Sequence, residues 1–146
     1  MKILNSEIVF AEVPDEVSLA LNITNCPIHC PGCHSKFLWE DIGEELTIDK
    51  LNSLLVPDIT CVVFMGGPYT EVQELCKYIK NTYNLKTAWY SGVKSLPDDL
   101  SYLDYIKVGP FKKELGPLNN PNTNQRLYVI IDNKPLDITY KFWNKL

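Results

Sequence analysis

The feature that most restricts how this chain can fold is the run Cys61-Val62-Val63-Phe64-Met65, followed at once by Gly66-Gly67-Pro68. An unbroken apolar run of this length suits a strand covered on both faces, as in the middle of a parallel sheet. The two glycines and the proline then stop it. Such a strand needs packed layers on both sides, and the rest of the chain must supply them. With 146 residues, 45% of them hydrophobic, the chain is long enough to do so, and residues 1–146 read as a single domain.

The flanking segments extend the pattern. Val17, Leu19, Leu21 and Ile23 alternate with Ser18, Ala20, Asn22 and Thr24, the period of a strand. Thr47 is placed to cap a short helix with Ile48, Leu51, Leu54 and Leu55 on one face, ended by Pro57. Thr70 and Gln73 have capping-box spacing, and Val72, Leu75, Cys76 and Ile79 form the inward stripe of a second helix. Leu85–Ser91, Tyr102–Val108 and Arg126–Ile131 read as further strands. Residues 109–124 read as a long loop, and Ile138, Phe142, Trp143 and Leu146 suggest a C-terminal amphipathic helix. This order predicts an α/β fold with a mostly parallel sheet. Ligands of such sheets sit at the carboxyl ends of the strands. The cysteine-rich loop after Ile23, Gly66-Gly67 and Ser91-Gly92 all follow predicted strand ends, so one common edge is expected to carry them.

Charge narrows the partners. The formal charge of −4 argues against a protein that tracks nucleic-acid phosphates. No apolar run is long enough to cross a bilayer, and Met1–Glu7 turns polar too early for a secretory signal. The expected location is the cytoplasm, with neither nucleic acid nor membrane as partner.

There are five cysteines, an odd number that excludes complete pairing within one chain. Cys61 and Cys76 stand alone in apolar surroundings and read as small buried hydrophobes. The other three crowd into Cys26-Pro27-Ile28-His29-Cys30-Pro31-Gly32-Cys33-His34. In a reducing compartment such a cluster binds metal or does redox work more often than it forms a structural disulfide. Three chemistries compete. Three thiolates can hold three irons of a 4Fe–4S cube, leaving one iron open to a substrate or cofactor. A zinc site could take the three cysteines with His29 or His34, although adjacent Cys33 and His34 make awkward joint ligands. A dithiol at Cys30-Pro31-Gly32-Cys33 could exchange disulfides, but it leaves Cys26 unused and lacks the helix expected directly after the motif.

The spacing Cys26-x₃-Cys30-x₂-Cys33 resembles the signature of the radical S-adenosylmethionine (SAM) enzymes. Cys30-Pro31-Gly32-Cys33-His34 resembles one branch of them, the activating proteins of anaerobic ribonucleoside-triphosphate reductases. Phe64-Met65-Gly66-Gly67 is similar to the family's Gly-Gly motif, and Trp89-Tyr90-Ser91-Gly92 to its next strand end. Gly109-Pro110-Phe111 and Asn124-Gln125-Arg126-Leu127 resemble two further segments of the branch. The likeness runs from about Val17 to about Ile131. The chain departs from the pattern at Pro68, where the family usually continues Gly-Gly with an acidic residue, and Glu71 is the candidate replacement. Ser35 stands where the branch often has Asn.

The resemblance implies an incomplete (β/α)₆-type barrel. It implies a 4Fe–4S cluster on Cys26, Cys30 and Cys33, with SAM on the fourth iron. Gly32, His34, Gly66, Gly67 and Ser91 would contact SAM, and no catalytic residue is expected beyond the cluster ligands. One-electron reduction would split SAM, and the resulting radical would take a hydrogen from a glycine of the partner reductase. The implied partners are the large subunit of an anaerobic ribonucleoside-triphosphate reductase and a one-electron donor such as flavodoxin. The loop 109–124, with Lys112, Lys113 and Glu114, is the expected docking element. Activation of another glycyl radical enzyme such as pyruvate formate-lyase is the alternative within the class. Outside it stand a non-catalytic metal- or cluster-binding module and a dithiol oxidoreductase.

Overall fold

The computed structural model describes residues 1–28 and 36–143. The apolar run forms β4 (Cys61–Met65), with Cys61 to Phe64 fully buried. Around it lie β1 (Lys2–Val9), β2 (Ser18–Ile23), β3 (Glu44–Glu45), β5 (Lys86–Tyr90), β6 (Tyr105–Val108), β7 (Arg126–Ile131) and β8 (Lys134–Asp137). The α-helices among the described residues are α1 (Ile48–Leu54) and α2 (Tyr69–Thr82). No helix among these residues is long and apolar enough to cross a membrane.

The strands form one eight-stranded sheet in the order β3-β1-β2-β4-β5-β6-β7-β8. Only β2·β4, β4·β5 and β5·β6 pair in parallel; the other pairings are antiparallel. The expected incomplete (β/α)₆-type barrel with a mostly parallel sheet is therefore corrected to an open, mixed sheet with two short helices. The physical reason lies in the connections. A β/α barrel wraps a helix between each pair of parallel strands. Here residues 91–104 join β5 to β6 through turns, and the flanks add antiparallel strands that widen the sheet instead of closing it.

Two apolar layers account for the run at β4. Leu21, Phe64, Trp89 and Ile106 lie side by side in register and pack with Val72, Cys76 and Ile79 of α2. On the other face Ala20, Val63, Ala88 and Tyr105 are in register and pack with Val13, Ile138 and Phe142. One step further along that second face comes the row Asn22, Met65, Tyr90 and Lys107, one residue from each parallel strand.

Several local expectations change. Thr47 does cap α1, accepting from Lys50 N at 3.1 Å, but Ile48 is exposed and Leu51 is the buried residue of the helix. The capping box at Thr70 and Gln73 does not form: α2 begins at Tyr69 after Pro68, and Gln73 Nε2 instead donates to Asp99 Oδ2 at 3.0 Å. The C-terminal amphipathic helix is a 3₁₀ turn over Thr139–Phe142, with Leu146 outside the described residues.

The amino ends of the parallel strands meet at one carboxylate. Glu16, 6% exposed, accepts from Tyr105 Oη at 2.7 Å, Thr60 Oγ1 at 2.8 Å and Lys86 Nζ at 3.0 Å. These groups stand at or just before the first residues of β2, β4, β5 and β6.

Candidate functional site

The carboxyl ends of β2, β4, β5 and β6 open on a cavity of about 490 Å³. That lies within the range of small-molecule and cofactor sites. Cys26, Gly66, Gly67 and Ser91 all line it, so the structure brings together every described member of the expected site on one edge. Cys30, Cys33, Gly32 and His34 lie outside the described residues, as does His29. Among the described residues no group of three His, Cys, Asp or Glu side chains is placed to hold a metal.

Cys26 sits three residues beyond β2 and is half-buried. Its N–H donates to Leu38 O at 2.9 Å, and Asn25 N donates to Glu40 O at 3.0 Å. These bonds fasten the two ends of the cysteine-rich segment together at its base. Pro27 and Ile28 before residues 29–35, and Leu38 and Trp39 after them, also line the cavity.

At the end of β4, Gly66 and Gly67 take φ of +104° and +93°, a backbone region that side chains disfavour. A Cβ on Gly67 would stand 3.3 Å from both Ile23 Cγ2 and Val72 Cγ2. Gly66 N donates to Tyr90 O at 2.8 Å, and its carbonyl accepts from Trp89 Nε1 at 3.0 Å. Gly66 therefore meets the cavity with its N–H bonded to the β5 backbone and its carbonyl bonded to the Trp89 side chain. Trp89, 3% exposed, lies against Tyr69 in a tilted contact with ring centroids 4.7 Å apart, and both line the cavity. Trp89→Phe removes the donor to Gly66 O, with an expected stability loss of about 1 kcal/mol. A urea midpoint equal to wild type would show that this bond contributes nothing.

Ser91 N donates to Lys107 O at 2.9 Å, and Ser91 Oγ accepts from Val93 N at 3.2 Å. The hydroxyl thus shapes the turn that follows β5. Glu71 lies elsewhere: it bonds the amino nitrogen of Met1 at 3.0 Å and lines a neighbouring groove with Lys2, Asp41 and Glu45. It does not take the place of the acidic residue missing after Gly67 in the cavity.

The segments 109–111 and 124–127 hold each other. Asn124 Nδ2 donates to Pro110 O at 3.0 Å and Gln125 Nε2 to Gly109 O at 3.4 Å. Gly109 makes this possible, with φ of +105° and room for a Cβ only 3.1 Å from Asn124 O. Phe111 and Gln125 reach the cavity wall through this clasp. The structure adds Asn22 and Lys107, which sequence reasoning missed. The signal for Lys107 was a lysine flanked by Ile106 and Val108 in an otherwise apolar strand.

Burial separates the remaining thiols from this site. It pushes Cys61 and Cys76 each up to about 12. In comparisons with known proteins, no family model matches the chain, and neither does a curated protein or a solved structure.

Proposed function

We propose that this chain activates a glycyl radical enzyme, an anaerobic ribonucleoside-triphosphate reductase, by reductive cleavage of SAM at a 4Fe–4S cluster held by Cys26, Cys30 and Cys33. One observation carries the reading: the described residues on both sides of the cysteine-rich segment line the same cavity as Gly66, Gly67 and Ser91. A metal held by that segment would face a chamber large enough for a nucleoside-bearing cosubstrate. The donor set fits as well, because three clustered thiolates leave one iron without a protein ligand.

A 4Fe–4S cluster supplies the electron for cleavage of SAM when it is bound. The residues of this chain bind, orient and exclude water. Tyr69, in tilted contact with the buried Trp89, gives the cavity an aromatic wall suited to an adenine ring. Ile28, Leu38, Trp39 and Phe111 add apolar surface that keeps a reactive species from water. Exposed Lys112 and Lys113 are the docking residues for the partner in this reading.

The test is anaerobic reconstitution with iron and sulfide, then EPR of the reduced protein with and without SAM. The expected result is a 4Fe–4S signal that changes shape when SAM is added. A signal indifferent to SAM would leave a cluster-binding module. Tightly held zinc, or an active dithiol with no cluster, would refute the proposal.

A further inference from the structure

We infer that Gly92 is a positioning residue: its lack of a side chain seats Ile28, and through Ile28 it sets where the cysteine-rich segment meets the cavity; this rests on the reading that the segment holds the cluster and the cavity takes SAM. Both residues line the cavity, Ile28 two positions beyond Cys26 and Gly92 two beyond the last residue of β5. A Cβ on Gly92 would stand 3.0 Å from Ile28 Cγ2, 3.2 Å from its Cγ1 and 3.4 Å from its Cβ. Apart from the neighbours of Gly92 in the chain, these three atoms of Ile28 are the nearest ones. Gly92 is not among the glycines with positive φ, so no turn conformation calls for glycine there. The close approach of Ile28 does.

Neither side of this contact yields freely. Ser91 N donates to Lys107 O at 2.9 Å and Gly109 N to Val93 O at 2.7 Å, so the residues on both sides of Gly92 are bonded to β6 and the residue after it. On the other side stand the Cβ and γ carbons of a β-branched side chain, which is stiff at χ1, and not the tip of a flexible one. Upstream of Ile28, the N–H groups of Asn25 and Cys26 are tied to Glu40 O and Leu38 O. A side chain at position 92 therefore pushes by a few tenths of an ångström on the chain that leads away from Cys26. A site that must align two reacting groups is sensitive to shifts of that order.

The experiment measures equilibrium SAM binding, and the change in the EPR signal when SAM is added, on cluster-loaded wild type, Gly92→Ala, Ile28→Ala and the double variant. Iron content and the urea midpoint of each protein separate loss of cluster or of fold from loss of positioning. Gly92→Ala is expected to keep its fold and its cluster and to bind SAM about tenfold more weakly. In the Ile28→Ala background both γ carbons are gone, and the same substitution is expected to cost no more than about twofold. Loss of the cluster from Gly92→Ala, with recovery in the double variant, would support the same contact through the ligands themselves. SAM affinity in Gly92→Ala equal to wild type overturns the inference alone. So does a loss of SAM or of cluster that persists in the Ile28→Ala background, because the new methyl group would then act other than through Ile28. A wild type that carries the cluster but does not bind SAM overturns the functional reading and the inference together.

Discussion

Cys26→Ser is expected to abolish the proposed 4Fe–4S cluster, whereas Cys61→Ser and Cys76→Ser leave it in place. The three free cysteines among the described residues sit in very different surroundings. Cys26 is half-buried on the cavity wall just beyond β2. Cys61 begins β4 at the opposite end of the sheet, four residues of strand at about 3.3 Å each from Met65. Cys76 faces the core from α2 with no exposed surface. Burial holds both of these thiols up to about 12, so neither offers a thiolate at neutral pH. The protein therefore has no fourth thiolate to offer from these two positions, and losing one of the clustered three removes a ligand that neither Cys61 nor Cys76 replaces. Iron and sulfide content and the EPR spectrum of each reconstituted variant check this. The result also separates the competing chemistries. A dithiol at Cys30 and Cys33 tolerates Cys26→Ser; a cluster on Cys26, Cys30 and Cys33 does not. Retention of a full cluster by Cys26→Ser would remove Cys26 from the ligand set.

The sequence was most informative where one side chain pattern had one physical solution. The run at β4 could be buried only between two layers, and Arg126–Ile131 emerged with the bounds read from the sequence. The common edge for Cys26, Gly66 and Ser91 followed from strand ends alone, and it holds even though the barrel does not form. The barrel failed because sheet closure depends on connections that leave little trace in local periodicity. β1 went unread because its register shifts between Ile3 and Asn5, which breaks the period of two and leaves Leu4 exposed. β8 went unread because all its residues are exposed and it contains Pro135, as an edge strand can. The turn before it, Asp132-Asn133 with φ of +51° and +62°, was the available hairpin signal. The clasp between Asn124-Gln125 and Gly109-Pro110 joins segments whose contact no local pattern announces.

The buried carboxylate and the cavity stand at opposite ends of the parallel strands, and Glu16 gives a way to test whether they act independently. Burial by itself would raise the Glu16 pKa, but donation from Tyr105, Thr60 and Lys86 outweighs it and holds the carboxyl below its ordinary value. Glu16 in turn raises Lys86. A lowered carboxyl pKa means that Glu16 contributes stability above its ordinary value and loses it as pH falls through the lower, folded value. Raised Lys86 adds stability below its own ordinary value and loses it as pH rises through the raised one. Both contributions are present near neutrality. Glu16→Ala removes the acceptor shared by three donors, of which Thr60 Oγ1 keeps Val17 O at 3.3 Å and Lys86 keeps water, and the expected loss near neutral pH is about 2 kcal/mol. Urea denaturation of wild type and variant near neutrality and again at about pH 3 measures the difference at each condition. The gap should narrow in acid, because wild type then loses what the variant already lacks. An equal gap at both pH values would assign the loss to packing and not to the charged carboxylate. Because Glu16 lies at the amino ends and the cavity at the carboxyl ends, the affinity of the folded variant for SAM, the proposed cosubstrate, should match wild type. A parallel fall in both would mean that the sheet transmits strain along its strands, and that the cavity depends on the carboxylate at its far end.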